Sequence, residues 1–490
     1  MNVIYIIADQ MRWDVLGCNG NKIVKTPNLD RLATASINFS CAYSGNPVCV
    51  PARGILATGC YSHKCMDPSA HNFNGGEILS RNIHIAKLLH EKKYCNYGIG
   101  KAHCLPYKKN PGFDVYEIAE EGRIPWQQSL GMLADDVKED YLEYLEKAGF
   151  GRMQRAHGIG NNDPRAGQSP LPIEHYVDTW ATSRSLELLK QHISANPKKP
   201  FYLQLGFVKP HAPYDPPAPF DRMYNPTKIP LPYGSSVDLD DRNPNARPFI
   251  QNYMINRLSD MAIQYSRSHY FGLITYLDSQ LGRILDFIEN NNLSNNTMII
   301  FTSDHGDNLG DHGIFFKNNF FEGSVHIPLL LSVPGLKKKI NIETPIGQED
   351  IVPSICDVLD IDLPNTVDGK SLLPLVDGCQ KHRPFVISQY GSGDKMILMI
   401  RDKKFKYCYA RYEATEELYD MSLDVYDSHN LAIDENYKTQ LIEMRNTADK
   451  WCIENSHERL LDDTGNLLKA HFDINEHLVN PKDVMGIRQW

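Results

Sequence analysis

The stretch Val3-Ile4-Tyr5-Ile6-Ile7-Ala8-Asp9-Gln10 forms the first predicted element of the chain. Its apolar residues are continuous and do not alternate with polar ones, which is typical of a strand buried on both faces of a parallel sheet. The run ends in a carboxylate and an amide, Asp9 and Gln10. Open α/β sheets bind their ligands at the carboxyl ends of their strands. The stretch therefore predicts an α/β fold with a parallel sheet, and it predicts that the functional residues lie at the carboxyl ends of the strands.

Strands and helices alternate along the chain beyond this stretch. The pattern favours an α/β fold with a doubly wound, mostly parallel sheet flanked by helices. Two polar or proline-rich excursions, at 105–175 with a helix near 134–147 and at 214–247, are expected to pass over the active-site face, because loops this long are usually functional or disordered. The other predicted elements are strands at 94–99, 200–208 and 298–302 and helices at 26–33, 82–92, 176–192 and 255–291.

From about residue 385 the pattern changes to short alternating strands, followed by a helix and a polar tail. These strands are predicted at Lys395–Arg401, Lys404–Ala410 and Glu417–Asp420. We therefore predict a catalytic domain at 1–384 and a smaller C-terminal α+β domain, built on an antiparallel sheet, at 385–490.

Composition excludes several classes of function. The 490 residues carry a formal net charge of −9 and no long basic run, which argues against nucleic-acid binding. The 11 cysteines are odd in number, scattered and without a CxxC pair, so neither a zinc site nor a disulfide framework is expected. We expect reduced thiols in a cytoplasmic protein, without a signal peptide and without an apolar run of the roughly 18 residues that a membrane span needs.

The second informative stretch is Cys49-Val50-Pro51-Ala52-Arg53-Gly54-Ile55-Leu56-Ala57-Thr58-Gly59. Pro51 suits the first turn of a helix, where its missing N–H costs nothing. Cys49 then lies at the helix N-terminus, where free N–H groups and the helix dipole favour an anion, and Arg53 adds a guanidinium suited to oxyanions. The alternative is a buried structural cysteine before an ordinary helix.

Two carboxylates point to a cation site. Asp9 and Asp304 each follow a predicted buried strand, and doubly wound topology brings such strand ends together. Gln10 and His305 add a carbonyl oxygen and a ring nitrogen beside them. Mostly oxygen ligands favour a hard cation, Ca²⁺ ahead of Mg²⁺. Either aspartate alone could equally be structural.

The cysteine stretch resembles the signature of the sulfatase family in the alkaline phosphatase superfamily. Thr26-Pro27-Asn28-Leu29-Asp30-Arg31-Leu32-Ala33 and the C-terminal Glu417–Asp420, Asp424 and Asn430-Leu431 are similar to sulfatase elements as well. The resemblance implies that a formylglycine-generating maturase oxidises Cys49 to Cα-formylglycine, whose hydrated aldehyde attacks the sulfur of a sulfate ester. It also implies a metal, Ca²⁺ with Mg²⁺ or Mn²⁺ as alternatives. The implied ligands are Asp9, Gln10, modified Cys49, Asp304 and His305, with Gln10 and His305 standing where many sulfatases have Asp and Asn.

The same resemblance assigns roles to four further positions. A "GK-x-H" turn supplies Lys101 and His103, which would bind and orient the formylglycine diol together with Arg53. A "PH-x-P" turn supplies His211, and Lys317 follows Asp304 closely; both would bind the sulfate, with His211 protonating the leaving oxygen. Taken singly, an exposed lysine is usually a solvated surface residue without a catalytic role, and a histidine is usually a hydrogen-bonded structural residue. Asn72 is a weaker candidate for a sulfate ligand.

The implied function is hydrolysis of a sulfate monoester, with a sugar sulfate favoured on family frequency. A phosphonate monoester or phosphate diester hydrolase of the same superfamily is the alternative, although those relatives tend to carry Tyr and Thr where this chain has Lys101 and His103. A non-catalytic binding protein of this fold is a third interpretation. The leaving group and the oligomeric state stay open.

Overall fold

We analysed a computed structural model of the chain. The structure describes residues 1–65, 82–104, 106–129, 131, 133–234, 258–336, 339–378, 382–391, 396–410 and 415–455. Asn72 and the tail beyond residue 455 lie outside these ranges.

A large mixed sheet forms the centre of the fold. Its described strands are β1 (Asn2–Asp9), β2 (Ile37–Phe39), β4 (Cys95–Gly100), β5 (Val115–Ile118), β6 (Phe201–Pro210), β7 (Thr297–Ser303), β9 (Leu329–Ser332) and β10 (Ile340–Ile342). Their spatial order is β10-β2-β9-β7-β1-β6-β4-β5, and only the pairs made by β9 are antiparallel. The predicted doubly wound, mostly parallel sheet is confirmed.

The two faces of this sheet bury separate apolar cores. Ile4 and Ile6 of β1 point into one core, and Val3, Tyr5 and Ile7 point into the other. Successive residues of a strand face opposite sides, so a continuous apolar run is what a strand covered on both faces requires. This double burial fixes β1 in the middle of the sheet and Asp9 at its edge.

Helices cover both faces. The first core packs against α1 (Pro27–Thr34), the helix at Val177–Ala195 and the long helix at Asp260–Asn290, whereas the second packs against the helices at Ile85–Glu91 and Ile351–Val358. The remaining described α-helices are α2 (Cys49–Thr58), Ser62–Cys65, Arg123–Ser129, Asp140–Lys147, Glu322–Val325, Leu373–Val376 and Lys438–Glu454.

Two smaller sheets complete the described fold. Three short strands, β3 (Ala42–Tyr43), β8 (His326–Ile327) and β11 (Ile346–Gly347), pair in the order β11-β3-β8. The antiparallel C-terminal sheet contains β12 (Val386–Tyr390), β13 (Ile397–Arg401), β14 (Phe405–Ala410) and β15 (Thr415–Asp420) in chain order. The helix at Lys438–Glu454 packs on one face of this sheet. The predicted antiparallel sheet is thus present, while the exact domain boundary at residues 384–385 stays a prediction.

One expectation about the first excursion is wrong. Residues 105–175 were expected to be irregular apart from one helix, but β5 lies at the edge of the large sheet, parallel to β4, with Gly100 opposite Ile118. A second helix follows at Arg123–Ser129. The strand is short and only partly buried, so its residues lack the continuous apolar run that marks the central strands. The predicted helix near 134–147 begins at Asp140.

The described cysteines are unpaired thiols, most of them buried, in agreement with the sequence expectation. Among the described helices, none combines the length and the apolar character needed to cross a membrane.

Candidate active site

The site lies where four neighbouring strands of the large sheet end. Strands β7, β1, β6 and β4 are adjacent, and their carboxyl ends meet at one edge. Asp304 follows β7, Asp9 ends β1, His211 follows β6 and Lys101 follows β4. Residues nearly 300 positions apart in sequence are thereby brought together, as the strand pattern predicted.

Helix α2 places Cys49 against this edge. The helix begins at Cys49, has Pro51 in its first turn and ends at Thr58. The left-handed backbone of the following Gly59 (φ +72°) lets its N–H bond to the Ile55 carbonyl. Cys49 is fully buried. Its Sγ, which stands in for the oxygen that formylglycine would carry, lies 3.7 Å from Asp9 Oδ1 and 3.2 Å from His305 Nε2.

Four side chains form a group suited to a metal ion. One ligand atom from each of Asp9, Cys49, Asp304 and His305 lies within 4.8 Å of every other, and all four residues are buried. His305 Nδ1 lies 2.9 Å from the Gly306 carbonyl, to which an N–H at Nδ1 can donate, so Nε2 is the ring atom that faces the group. Burial and the neighbouring Asp9 raise the pKa of Asp304. Two buried carboxylates side by side with an imidazole fit a divalent cation, which would relieve that repulsion.

Gln10 faces the same space but is held by other partners. Its Oε1 accepts a hydrogen bond from Lys317 Nζ at 2.5 Å, and its Nε2 donates to Asp307 Oδ2 at 2.5 Å. The other oxygen of Asp307 accepts the N–H groups of Leu309 and Phe316 at 2.8 and 2.7 Å. Asp307 therefore orients the Gln10 amide and orders the loop that carries Lys317. Sequence reasoning missed this residue, although it stands three positions after Asp304.

Arg53 is a scaffold for the site. Its Nε donates to Asp304 Oδ2 at 2.9 Å, and its Nη1 donates to the Lys101 carbonyl at 2.5 Å. Nη2 lies 3.9 Å from Asp9 Oδ2. The guanidinium thus links α2 to the ends of three strands, and its charge is committed to the two aspartates.

Lys101 and His103 are buried beside Cys49. Lys101 Nζ contacts the Asp9 carboxylate and lies 2.7 Å from Glu121 Oε2. His103 has a left-handed backbone (φ +47°), and its Nε2 lies 3.1 Å from Glu120 Oε2. Burial, with the charges of Arg123 and Lys101, lowers the pKa of His103 well below its ordinary value.

His211 and Lys317 form a direct pair. His211 Nε2 lies 2.7 Å from Lys317 Nζ. On the other side of the ring, Nδ1 lies 2.7 Å from the Ala212 carbonyl and 3.3 Å from Glu121 Oε1. Glu121 therefore contacts both Lys101 and His211.

These charges act on Cys49. Burial alone would raise the pKa of its thiol, but Lys317, His305 and Lys101 lower it well below the ordinary value. The position is therefore electropositive despite its carboxylates, which is what a sulfate monoanion needs.

The structure brings the predicted site residues into one buried cluster, except Asn72, which lies outside the described residues. Those brought together are Asp9, Gln10, Cys49, Arg53, Lys101, His103, His211, Asp304, His305 and Lys317. The structure adds Asp307, Glu120, Glu121 and Arg123. The last three follow β5, which pairs with β4, so they reach the edge where Lys101 and His103 lie. The consecutive glutamates after that short strand were the only sequence signal for them.

Comparison with known proteins gives concordant results. A family model described as Sulfatase matches residues 1–361, and one described as N-sulphoglucosamine sulphohydrolase, C-terminal, matches residues 310–452. An arylsulfatase of Clostridium perfringens is 29% identical over 457 residues, which are 91% of this chain and 92% of that protein. A choline-sulfatase of Rhizobium meliloti is 27% identical over 446 residues, 88% of this chain and 82% of that protein.

Solved structures share the fold. A phosphonate monoester hydrolase of Agrobacterium radiobacter superposes with a TM-score of 0.73 at 22% identity, covering 96% of this chain and 99% of that one. A protein solved with its substrate D-glucosamine-2-N,6-O-disulfate also gives a TM-score of 0.73 at 20% identity, covering 93% of this chain and 98% of that one.

Proposed function

The chain belongs to the sulfatase family of the alkaline phosphatase superfamily, and we propose that it hydrolyses a sulfate monoester of a carbohydrate, using residue 49 as the source of its nucleophile. The observation that carries this proposal is the position of Cys49. It begins a buried helix, its Sγ lies beside two carboxylates and an imidazole, and the charges of Lys317 and Lys101 act on it.

Membership of the family implies two groups that are not among the twenty encoded side chains, a formylglycine at residue 49 and a bound cation. Formylglycine at position 49 would supply a hydroxyl nucleophile. Asp9, Asp304 and His305 would hold a cation, which would activate that hydroxyl and neutralise sulfate charge. We propose Ca²⁺ as that cation, because the two carboxylates supply hard oxygen ligands.

The chain's own residues then have distinct tasks. Lys101 and His103 lie beside residue 49 and hold its side chain, while Arg53 fixes Asp304 and the Lys101 backbone. Lys317 and His211 bind the sulfate oxygens, and His211 gives a proton to the departing alcohol. His103, whose lowered pKa keeps it neutral, would accept the proton of the remaining hydroxyl of residue 49 as sulfate leaves and the aldehyde forms again.

The fold it shares with a phosphonate monoester hydrolase supports one alternative substrate class, phosphonate monoesters or phosphodiesters. We favour sulfate, because Lys101 and His103 both lie against residue 49, where the sulfatase pattern requires them.

The test uses protein co-produced with a formylglycine-generating maturase. We expect a peptide containing residue 49 to show the mass change of a thiol converted to an aldehyde. We also expect a higher kcat/KM on 4-nitrophenyl sulfate than on a phenylphosphonate monoester. Cys49→Ala should abolish turnover with an unchanged melting temperature. A modified enzyme that prefers the phosphonate would establish the alternative, and an active Cys49→Ala variant would refute the role of residue 49.

A further inference from the structure

Lys209 is a buried lysine at the end of β6, two residues before His211. It is 3% exposed, and its Nζ lies 2.6 Å from Asp215 Oδ1, 2.8 Å from the Pro213 carbonyl and 3.2 Å from the His211 carbonyl. An ammonium group has three N–H bonds, and these three acceptors match them. All three acceptors belong to the loop that follows β6. The side chain of Lys209 therefore ties that loop back to the end of the strand.

The carboxylate of Asp215 is fixed from two other parts of the chain. The Tyr176 hydroxyl donates to Asp215 Oδ1 at 3.0 Å and to the Asp215 carbonyl at 2.9 Å. His157 Nδ1 accepts the Ile159 N–H at 3.0 Å, so an N–H at Nε2 can donate to Asp215 Oδ2, which lies 3.0 Å away. Burial would raise the pKa of Asp215, but Lys209 and His157 outweigh burial and hold that pKa below its ordinary value. Asp215 is thus a charged and fixed anchor for the Lys209 ammonium.

The backbone of Lys209 is held as well. Asp178, in the first turn of the helix at Val177–Ala195, accepts the Val208 N–H at 2.7 Å and the Lys209 N–H at 3.2 Å. Backbone and side chain of Lys209 are therefore anchored to two different buried carboxylates, one on a helix and one in the loop.

The anchored loop carries the His211 ring toward Lys317. His211 Nδ1 lies 2.7 Å from the Ala212 carbonyl, so the ring is oriented by the same stretch of backbone whose carbonyls on either side contact Lys209. On the other side of the ring, Nε2 lies 2.7 Å from Lys317 Nζ. A shift of this backbone would displace Nε2, and a misplacement of about 1 Å can slow catalysis by about 100-fold.

A direct role in binding sulfate does not fit Lys209. Its ammonium faces two carbonyls and a carboxylate, so a sulfate at this position would meet the negative charge of Asp215. Like charges at this distance repel each other strongly in a buried site.

We propose that Lys209, held by Asp215, positions the imidazole of His211, and that loss of either residue slows the reaction through His211. Lys209 is thereby a positioning residue that touches no substrate. This inference rests on the proposed function for the reaction that His211 serves. It applies equally to a His211 that donates a proton and to a His211 that binds the anion.

The test is a double-mutant cycle on the enzyme that contains formylglycine. Wild type, Lys209→Met, His211→Ala and the double variant are compared by kcat/KM on phenyl sulfate and on 4-nitrophenyl sulfate. The milder substitution Asp215→Asn is carried through the same cycle. The matched control is Lys406→Met, which removes another buried and carboxylate-paired lysine, in the C-terminal sheet. Melting temperatures are recorded for every variant.

We expect Lys209→Met to lower kcat/KM about 10- to 100-fold when His211 is present and less than about threefold in the His211→Ala background, because residues that act through one group are not additive. The loss should be larger on whichever substrate suffers more from His211→Ala. Asp215→Asn should show the same pattern with a smaller loss, and it decides the question if Lys209→Met does not fold. Lys406→Met should lower the melting temperature and change kcat/KM by the same factor in both backgrounds.

Equal losses from Lys209→Met or from Asp215→Asn in both backgrounds would overturn the proposal, because a residue that only stabilises the fold acts independently of His211. A wild-type kcat/KM in Lys209→Met would overturn it as well. A formylglycine-containing wild type that hydrolyses neither sulfate ester would refute the proposed function instead, so the two failures are distinct.

Discussion

His211 Nε2 and Lys317 Nζ lie 2.7 Å apart, with no carboxylate between them. Lysine can only donate in such a contact, so His211 Nε2 accepts, and its Nδ1–H donates to the Ala212 carbonyl at 2.7 Å. His211 can therefore act as the proposed general acid only when a sulfate ester has separated the pair and Nε2 carries a proton. Kinetics decide whether His211 Nε2 or Lys317 Nζ protonates the departing alcohol.

The dependence on the leaving group answers that question. If His211 is the general acid, His211→Ala should lower kcat/KM by about 10²–10⁴-fold on an alkyl or sugar sulfate, whose alcohol cannot depart unprotonated. On 4-nitrophenyl sulfate, whose leaving group needs little protonation, we expect a much smaller loss. Steady-state kinetics on the two substrates provide the measurement.

Equal losses on both substrates would instead make His211 an anion ligand. In that event Lys317→Ala should show the unequal pattern, because Lys317 Nζ is the other donor at this position. The two variants together assign the proton without reference to a pH profile.

Glu121 connects two functional groups, and its charge should matter more than its volume. Glu121→Gln leaves Lys101 and His211 facing an amide in a buried site. We expect kcat to fall about 10- to 100-fold and the free energy of unfolding to fall by about 1–3 kcal/mol. Glu117→Gln is the matched control, since Glu117 pairs with Arg184 at 2.9 Å near the surface. A Glu121→Gln variant with wild-type kcat would remove Glu121 from the positioning of the site.

Metal removal should abolish activity and destabilise the protein. A chelator leaves Asp9 and Asp304 as neighbouring buried carboxylates. We expect turnover to return on adding Ca²⁺, and the free energy of unfolding to rise by about 2.7 kcal/mol when the free cation reaches 100 times its Kd. Asp304→Asn should resemble the chelated protein and respond weakly to Ca²⁺. Activity insensitive to chelation would exclude a required metal, and recovery with Mn²⁺ but not Ca²⁺ would correct its identity.

A buried lysine of the C-terminal sheet should give a pH-dependent stability. Lys406 Nζ lies 2.9 Å from Glu322 Oε1 and 2.5 Å from Asp427 Oδ1. Burial raises the pKa of Asp427 to about 7 even beside Lys406, and in Glu322 the lysine and His326 outweigh burial and hold the pKa below its ordinary value. Lys406→Met removes the cation, so both carboxylates should take up protons more readily in the folded state.

The sign of this effect follows from proton linkage. The folded variant should bind more protons than the unfolded chain between about pH 4 and pH 8, so its stability should fall as the pH rises. We expect a loss relative to wild type of about 3–5 kcal/mol at pH 8 and a clearly smaller loss at pH 5.5, measured by urea unfolding. Lys403→Met, at an exposed position two residues after β13, should cost little at either pH. A loss independent of pH would show that the carboxylates do not respond to Lys406.

The residues adjacent in sequence were enough to predict the parts of the site that lie on elements with a clear sequence signal, namely a continuous apolar strand or a helix start. The apolar run of β1 identified Asp9 as a residue at the edge of the sheet, and Pro51 identified the helix that presents Cys49. The same reasoning placed Asp304 after β7. These predictions hold because burial on both faces and the geometry of a helix start are set by residues adjacent in sequence.

Pairing between distant segments decided the rest. Because β5 lies parallel to β4 with Ile118 opposite Gly100, the residues after both strands share one edge, and Glu121 and Arg123 join Lys101 there. No local pattern marks such a partly buried edge strand, since its register depends on a neighbour and not on its own residues. The sequence by itself thus predicted the cysteine at the start of α2, the two carboxylates and the family, because each is marked by residues adjacent in sequence. Tertiary structure alone decided which charges of the site pair with each other.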